Sequence, residues 1–115
     1  MIMVGTFEIK KAKNGQFYFT LKAHNGEVIL TSEMYKQKAS TKIGIASVQK
    51  NSGDAKRYSL LIAKSGKFYF TLKAANYQVI GNSEVYETTT ARDKGIESVK
   101  KNGCTTTIKD LTIKK

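Results

Sequence analysis

The chain has 115 residues, 40% of them hydrophobic and 25% charged, with 20 basic residues against 9 acidic ones for a net charge of +11. This balance excludes a disordered chain, fits one folded domain, and predicts attraction to polyanions such as nucleic acid or an anionic surface. The lone Cys104 excludes an internal disulfide, and no apolar run nears the roughly 20 residues needed to span a bilayer.

Met1 to Thr6 holds no basic stretch leading into an apolar one, so no secretory signal is read and a cytoplasmic protein is expected. Phe7 and Ile9 lie on the first predicted strand. Asn14-Gly15 then predicts a type I′ hairpin turn, in which both central residues need positive φ. Phe17, Phe19 and Leu21 alternate with Tyr18, Thr20 and Lys22, the period of a half-buried strand. Asn25-Gly26 marks another turn, and Val28-Ile29-Leu30 a short third strand. A helix follows from Ala39 to Lys50, with Ile45 and Val48 on one face and Asn51-Ser52-Gly53 as its stop.

The pattern then repeats. Phe17-Tyr18-Phe19-Thr20-Leu21-Lys22-Ala23 recurs as Phe68-Tyr69-Phe70-Thr71-Leu72-Lys73-Ala74, an offset of 51 residues. The same offset pairs Ser32-Glu33 with Ser83-Glu84, Tyr35 with Tyr86, Gly44-Ile45 with Gly95-Ile96, and Lys50-Asn51 with Lys101-Asn102. Such self-similarity marks a duplicated unit. Repeat one is taken as about residues 5–55 and repeat two as 56–115, within a single domain spanning 1–115. In repeat two, Ser65-Gly66 is the weaker first turn. Tyr77 replaces glycine in the second turn, which predicts a different turn type there. Thr90 and Asp93 resemble a capping box for a helix running from Thr90 to Lys101. Gly44 and Gly95 inside the helices predict close packing against the sheet or the other helix. Tyr58 to Ile62 ends one unit and begins the next, and Ile108 to Ile113 closes the second.

Lys22-Ala23-His24-Asn25, Val28-Ile29, Ser32-Glu33-Met34-Tyr35 and Gly44 to Asn51, with their counterparts 51 positions later, resemble the YegP-like family of small bacterial proteins. The resemblance covers nearly the whole chain. It implies an α+β fold of two β-β-β-α-β repeats sharing the central strand. These would form one continuous antiparallel sheet with C-terminal strands exchanged, two helices on one face and pseudo-two-fold symmetry. It implies no activity, because the family is described as of unknown function.

The residues themselves give little support to catalysis. His24 is the only histidine, and its counterpart is Ala75. Cys104 has no second cysteine, and one histidine with one cysteine cannot make a zinc site. No catalytic residue, cofactor or metal is predicted. Two candidate surfaces stand out. Ser32, Glu33, Tyr35 and Ser83, Glu84, Tyr86 form paired loops, read either as small ligand or peptide sites or as hydrogen-bonded turns. Tyr18, Thr20, Lys22, Tyr69, Thr71 and Lys73 would share the helix-free sheet face. Aromatic groups beside cations there would suit single-stranded DNA or RNA. Against this, Arg57 and Arg92 are the only arginines, and arginine is the residue that forks onto phosphate and guanine.

The leading expectation is a noncatalytic binding or interaction module for protein or peptide, the latter able to add at an exposed sheet edge. Nucleic-acid binding through the open face is the alternative. A small enzyme using the Ser-Glu-x-Tyr loops ranks third.

Overall fold

Residues 5–113 are described by a computed structural model; the first four residues, on which the reading of a signal segment rests, lie outside them. Strands β1 (Thr6–Lys11), β2 (Phe17–Lys22) and β3 (Val28–Ser32) lead into helix α1 (Lys38–Asn51). A single 3-10 turn (Ala55–Arg57) opens the second unit of β4 (Tyr58–Ile62), β5 (Phe68–Lys73), β6 (Val79–Asn82) and α2 (Thr89–Asn102), and β7 (Ile108–Asp110) ends it.

The hairpins form where glycine permits a left-handed residue, though not as type I′ turns. Ala12 N–H donates to Gln16 O and Gly15 N–H to Ala12 O, at 2.8 and 3.0 Å. Only Gly15 has positive φ, at 85°. This is the three-residue loop closed by one left-handed residue. Gly26 and Gly66 play the same part, at 87° and 86°.

The helix starts differ from the expected capping box. Thr88 caps α2, its Oγ1 accepting from Ala91 N–H at 3.0 Å, while Asp93 pairs instead with Arg92. Helix α1 has Gln37 at its N-cap position, with no side-chain cap hydrogen bond.

The strands order as β4-β5-β6-β3-β2-β1-β7 in one sheet. Adjacent pairs are antiparallel except β1 with β7, which are parallel, so the sheet is mixed. The reason is connectivity. After α2 the chain returns to the far edge of repeat one and approaches β1 from the same end. The expected exchange occurs, since the C-terminal strand of each unit pairs within the other. The shared strand β4, central in the sequence, lies at the sheet edge and pairs only with β5.

Repeats meet at β3 and β6, where Thr31 sits opposite its own counterpart, Asn82. The pseudo-two-fold axis passes between them. Both helices cover one face. Phe7, Ile9, Phe19, Leu21, Leu30, Phe70 and Leu72 bury fully beneath them, with Ile45, Val48 and Val99 supplied from above. Burial of such side chains contributes about 1.5–3 kcal/mol each.

Asp110 anchors β7. Its carboxylate pairs with Lys38 Nζ at 2.9 Å and accepts from the Thr112 hydroxyl. The Thr112 hydrogen bond and then Lys38 lower its pKa from 3.8 to about 2. A depressed carboxylate pKa adds stability that is complete above the unfolded value and lost as pH falls. Docking of β7 is therefore expected to weaken between about pH 4 and pH 2. Protection of the Phe7 and Leu111 amides, taken relative to their intrinsic exchange at each pH, should fall across that window in the native chain and hold steady in Asp110→Asn.

Candidate binding site

The Ser-Glu-x-Tyr loops are built by backbone demands. Ser32 Oγ accepts from Phe19 N–H at 2.9 Å and donates to Glu33 O at 2.7 Å. Ser83 repeats this with Phe70 N–H and Glu84 O, at 2.9 and 2.7 Å. The serines thus satisfy strand groups that no neighbouring strand reaches. Tyr35 and Tyr86 pair through their backbones with Phe17 and Phe68. Glu33 and Glu84 stay exposed.

Each tyrosine ring then lies against a helix glycine. A β-carbon at Gly44 would stand 2.5 Å from Tyr35 Oη and 3.0 Å from Phe19 Cε2, and one at Gly95 would stand 2.4 Å from Tyr86 Oη. The expected close approach is made by the loop tyrosine, with Phe19 of the sheet adding to it in repeat one. Burial, then nearby Glu33, raises the Tyr35 pKa; burial, then Glu84 and Glu27, raises that of Tyr86. Both phenols therefore remain protonated at neutral pH.

Those tyrosines wall two clefts. The larger, about 460 Å³, lies between α1 and the β5–β6 hairpin and is lined by Tyr35, Ser40, Ile43, Gly44, Ser47, Ala74, Asn76, Gln78, Val79 and Ile80. The smaller, about 180 Å³, lies between α2 and the β2–β3 hairpin and includes Tyr86, Lys94, Ser98, Asn25 and Glu27. The 51-residue offset maps one lining onto the other. Each cleft takes its helix from one repeat and its hairpin from the other, so neither exists in a single unit. Their chemistry has diverged. Ile43 and Gln78 make the larger cleft neutral where Lys94 and Glu27 make the smaller one charged.

Sequence reasoning found the tyrosines but not Ser40, Ile43, Ser47, Asn76 or Gln78. The signal was present in the repeated Asn25/Asn76 and Gly44/Gly95, yet only the crossing of the repeats brings hairpin and helix together.

Tyr77 flanks the larger cleft between Asn76 and Gln78. It occupies the left-handed position held by Gly26 in repeat one, with φ 68°. The turn type is conserved rather than altered, since Tyr77 N–H donates to Ala74 O at 2.9 Å just as Gly26 N–H donates to Ala23 O at 2.9 Å. Its side chain is 77% exposed, so little packing offsets the strain. Tyr77→Gly is expected to stabilise the protein by about 0.5–1 kcal/mol, the left-handed penalty less glycine's greater loss of chain entropy. Tyr77→Ala should give no such gain in urea unfolding.

The open sheet face carries all six residues predicted for it, but not as one platform. The cross-strand row runs Ser59, Thr71, Asn82, Thr31, Thr20, Glu8. Thr20 and Thr71 are only 4% and 5% exposed. Contrary to the outward reading, neighbouring side chains on this face cover them. Tyr18 and Tyr69 fall on opposite sides of the row, on the order of 20 Å apart from strand spacing and rise. Lys22 is held by Glu8, Nζ to Oε1 at 3.1 Å. Lys73 has Ser59 where Glu8 would stand, and no ion pair among the described residues.

Cys104 and His24 are exposed. Among the described residues, no three His, Cys, Asp or Glu side chains gather to hold a metal ion, and no helix is long and apolar enough to cross a membrane.

A tandem mixed sheet with crossed helices and hairpins defines a class of small duplicated domain. The family model described as a domain of unknown function, DUF1508, matches residues 12–59 and again 63–110. The chain belongs to this family of uncharacterised UPF0339 proteins. It is 64% identical over 110 residues to UPF0339 protein ACIAD0721 of Acinetobacter baylyi, covering 96% of this chain and 99% of that one. It is 54% identical over 110 residues to UPF0339 protein YegP of Escherichia coli strain K12, covering 96% and 100%. The solution NMR structure of YegP from E. coli, a protein of unknown function, matches with a TM-score of 0.91 over 96% of each chain. That of UPF0339 protein SO3888 from Shewanella oneidensis matches at 0.89, with 58% identity over 95% of this chain and 92% of that one.

Proposed function

We propose that this protein is a noncatalytic cytoplasmic binding module whose ligand enters the larger inter-repeat cleft. The carrying observation is the difference between the twin clefts: one is neutral and about 460 Å³, while the other is charged and about 180 Å³. Ligand sites commonly have the former size and combine apolar walls with a few polar groups. Ile43, Val79 and Ile80 supply apolar surface there, and Asn76, Gln78, Ser40 and Ser47 supply donors and acceptors. This chemistry suits a neutral ligand bearing amide or hydroxyl groups, including a segment of a protein. The unpaired thiol suits a reducing compartment.

The test is an NMR titration with neutral aliphatic amide fragments. Shifts are expected to cluster at residues 40–47 and 74–80. The double substitution Ile43→Lys/Gln78→Glu copies the side chains at the matching positions of the other cleft, so the fold should survive it while binding is lost. Shifts that ignore the double mutant would remove the cleft from consideration.

Nucleic-acid binding is the second reading, supported by Tyr18, Thr20, Lys22, Tyr69, Thr71 and Lys73 sharing one face. Fluorescence anisotropy with single-stranded DNA and RNA tests it. Binding that persists at physiological salt and falls in Tyr18→Ala/Tyr69→Ala would favour this face. Loss with salt alone would leave only the attraction of a +11 chain.

A further inference from the structure

The two outer edges of the sheet are counterparts with unequal fates. Strand β1 is covered by β7, with Phe7 beside Ile108 and Ile9 beside Asp110. Phe7 N–H donates to Thr107 O at 3.0 Å, and Leu111 N–H donates to Ile9 O at 2.9 Å. Under that strand Ile9 is 0% exposed. Strand β4 is the equivalent of β1 by the 51-residue offset, and among the described residues no strand lies outside it. Leu60, the counterpart of Ile9, is 55% exposed, and Ile62 is 69% exposed. A bare apolar edge of this kind invites strand pairing.

We infer that the β4 edge accepts an extended acidic peptide that runs parallel to it as β7 runs along β1. The occupied edge supplies the template. There, an apolar residue faces the first position, and a carboxylate two residues later meets Lys38, whose Nζ lies 6.0 Å from the Phe17 ring centre. At the vacant edge the matching ring is Phe68, and Arg92, whose Nε and Nη2 also bond the exposed Asp93, holds its guanidinium 5.9 Å from that ring. The cation over the ring is thus retained, although it comes from a later position on the helix. Long-range charge favours the same occupant, because a +11 chain draws acidic segments and repels copies of itself.

The probe is a capped synthetic peptide of residues 105–113 with Lys109→Glu, which makes it acidic, titrated into the full chain by NMR. Shifts and slowed amide exchange are expected along Tyr58–Ile62, with movement at Phe68 and Arg92. Replacing the peptide's Asp110 with Asn should weaken binding about fivefold, the value of roughly 1 kcal/mol for one charged contact.

By correspondence with Ile9, Leu60 directs its backbone outward, so Leu60→Pro removes an edge donor and leaves the ladder to β5 intact. It should abolish binding, and Leu60→Asp, which keeps the N–H but sets a second carboxylate beside that of the peptide, should weaken it more than tenfold. Shifts at Phe7–Ile9, meaning displacement of the chain's own β7, would overturn the inference. So would binding unchanged by either substitution, or self-association through β4 seen by sedimentation. The outcome does not depend on the inter-repeat cleft.

Discussion

Phe70→Ala is expected to lower stability by about 3–5 kcal/mol and to do so for both repeats at once. Phe70 is fully buried in β5, edge-on to Tyr58 with ring centres 5.7 Å apart and stacked on Tyr86 at 6.4 Å. Both helices pack on this strand, α1 from the first unit and α2 from the second. A cavity there strips contacts from both units, because the interior has no boundary between them. Urea unfolding followed by NMR at Ile45 and at Val99 checks this. The two probes are expected to give one midpoint in the native chain and one lower midpoint in the mutant. Separate midpoints would mean that the repeats fold as independent domains. Phe19→Ala, at the matching position of repeat one, should behave in the same way.

The seam between repeats should be nearly as sensitive. Leu30 and Gly81 are counterparts flanking the pseudo-two-fold axis, one fully buried and the other without a side chain. A β-carbon on Gly81 would stand 2.7 Å from Thr31 O and 3.2 Å from Leu30 Cγ. Symmetry at this point is broken so that a single leucine fills the space available. Leu30→Ala is expected to cost about 2–5 kcal/mol through the cavity it leaves. Gly81→Val is expected to cost about 1–3 kcal/mol or more, since the obstructing atom is a backbone carbonyl that cannot rotate away. For the same reason Leu30→Ala/Gly81→Ala should remain at least as unstable in denaturant as Leu30→Ala alone. Recovery to native stability would identify the Leu30 side chain as the real obstacle.

Much of this architecture was legible in the sequence because the duplication states it twice. Phe17, Phe19 and Leu21 alternate as a strand must, and their recurrence at Phe68, Phe70 and Leu72 predicts a shared core. The family resemblance added the exchange of C-terminal strands. What escaped depends on choices that local patterning does not rank. Thr88 and Thr90 are equally good caps, and only the approach of the preceding loop selects Thr88. The parallel β7 follows from where the chain re-enters the sheet. Tyr77 was expected to change its turn, yet the surrounding hairpin holds a non-glycine residue in the left-handed region. The burial of Thr20 and Thr71 arises from neighbours on other strands. Ser32 and Ser83 were legible as turn residues, but their partners on β2 and β5 lie thirteen positions away. The clefts were the least legible feature, since each joins segments that belong to different repeats.

The pairing of β7 with β1 also bears on how the protein is made. Phe7 and Ile108 are partners, so β1 leaves the ribosome well before the strand that covers it. Until β7 has emerged, β1 has an uncovered edge and Ile9 remains accessible to other nascent chains. Closing so long a loop is also entropically costly before its contacts form, which favours slow folding.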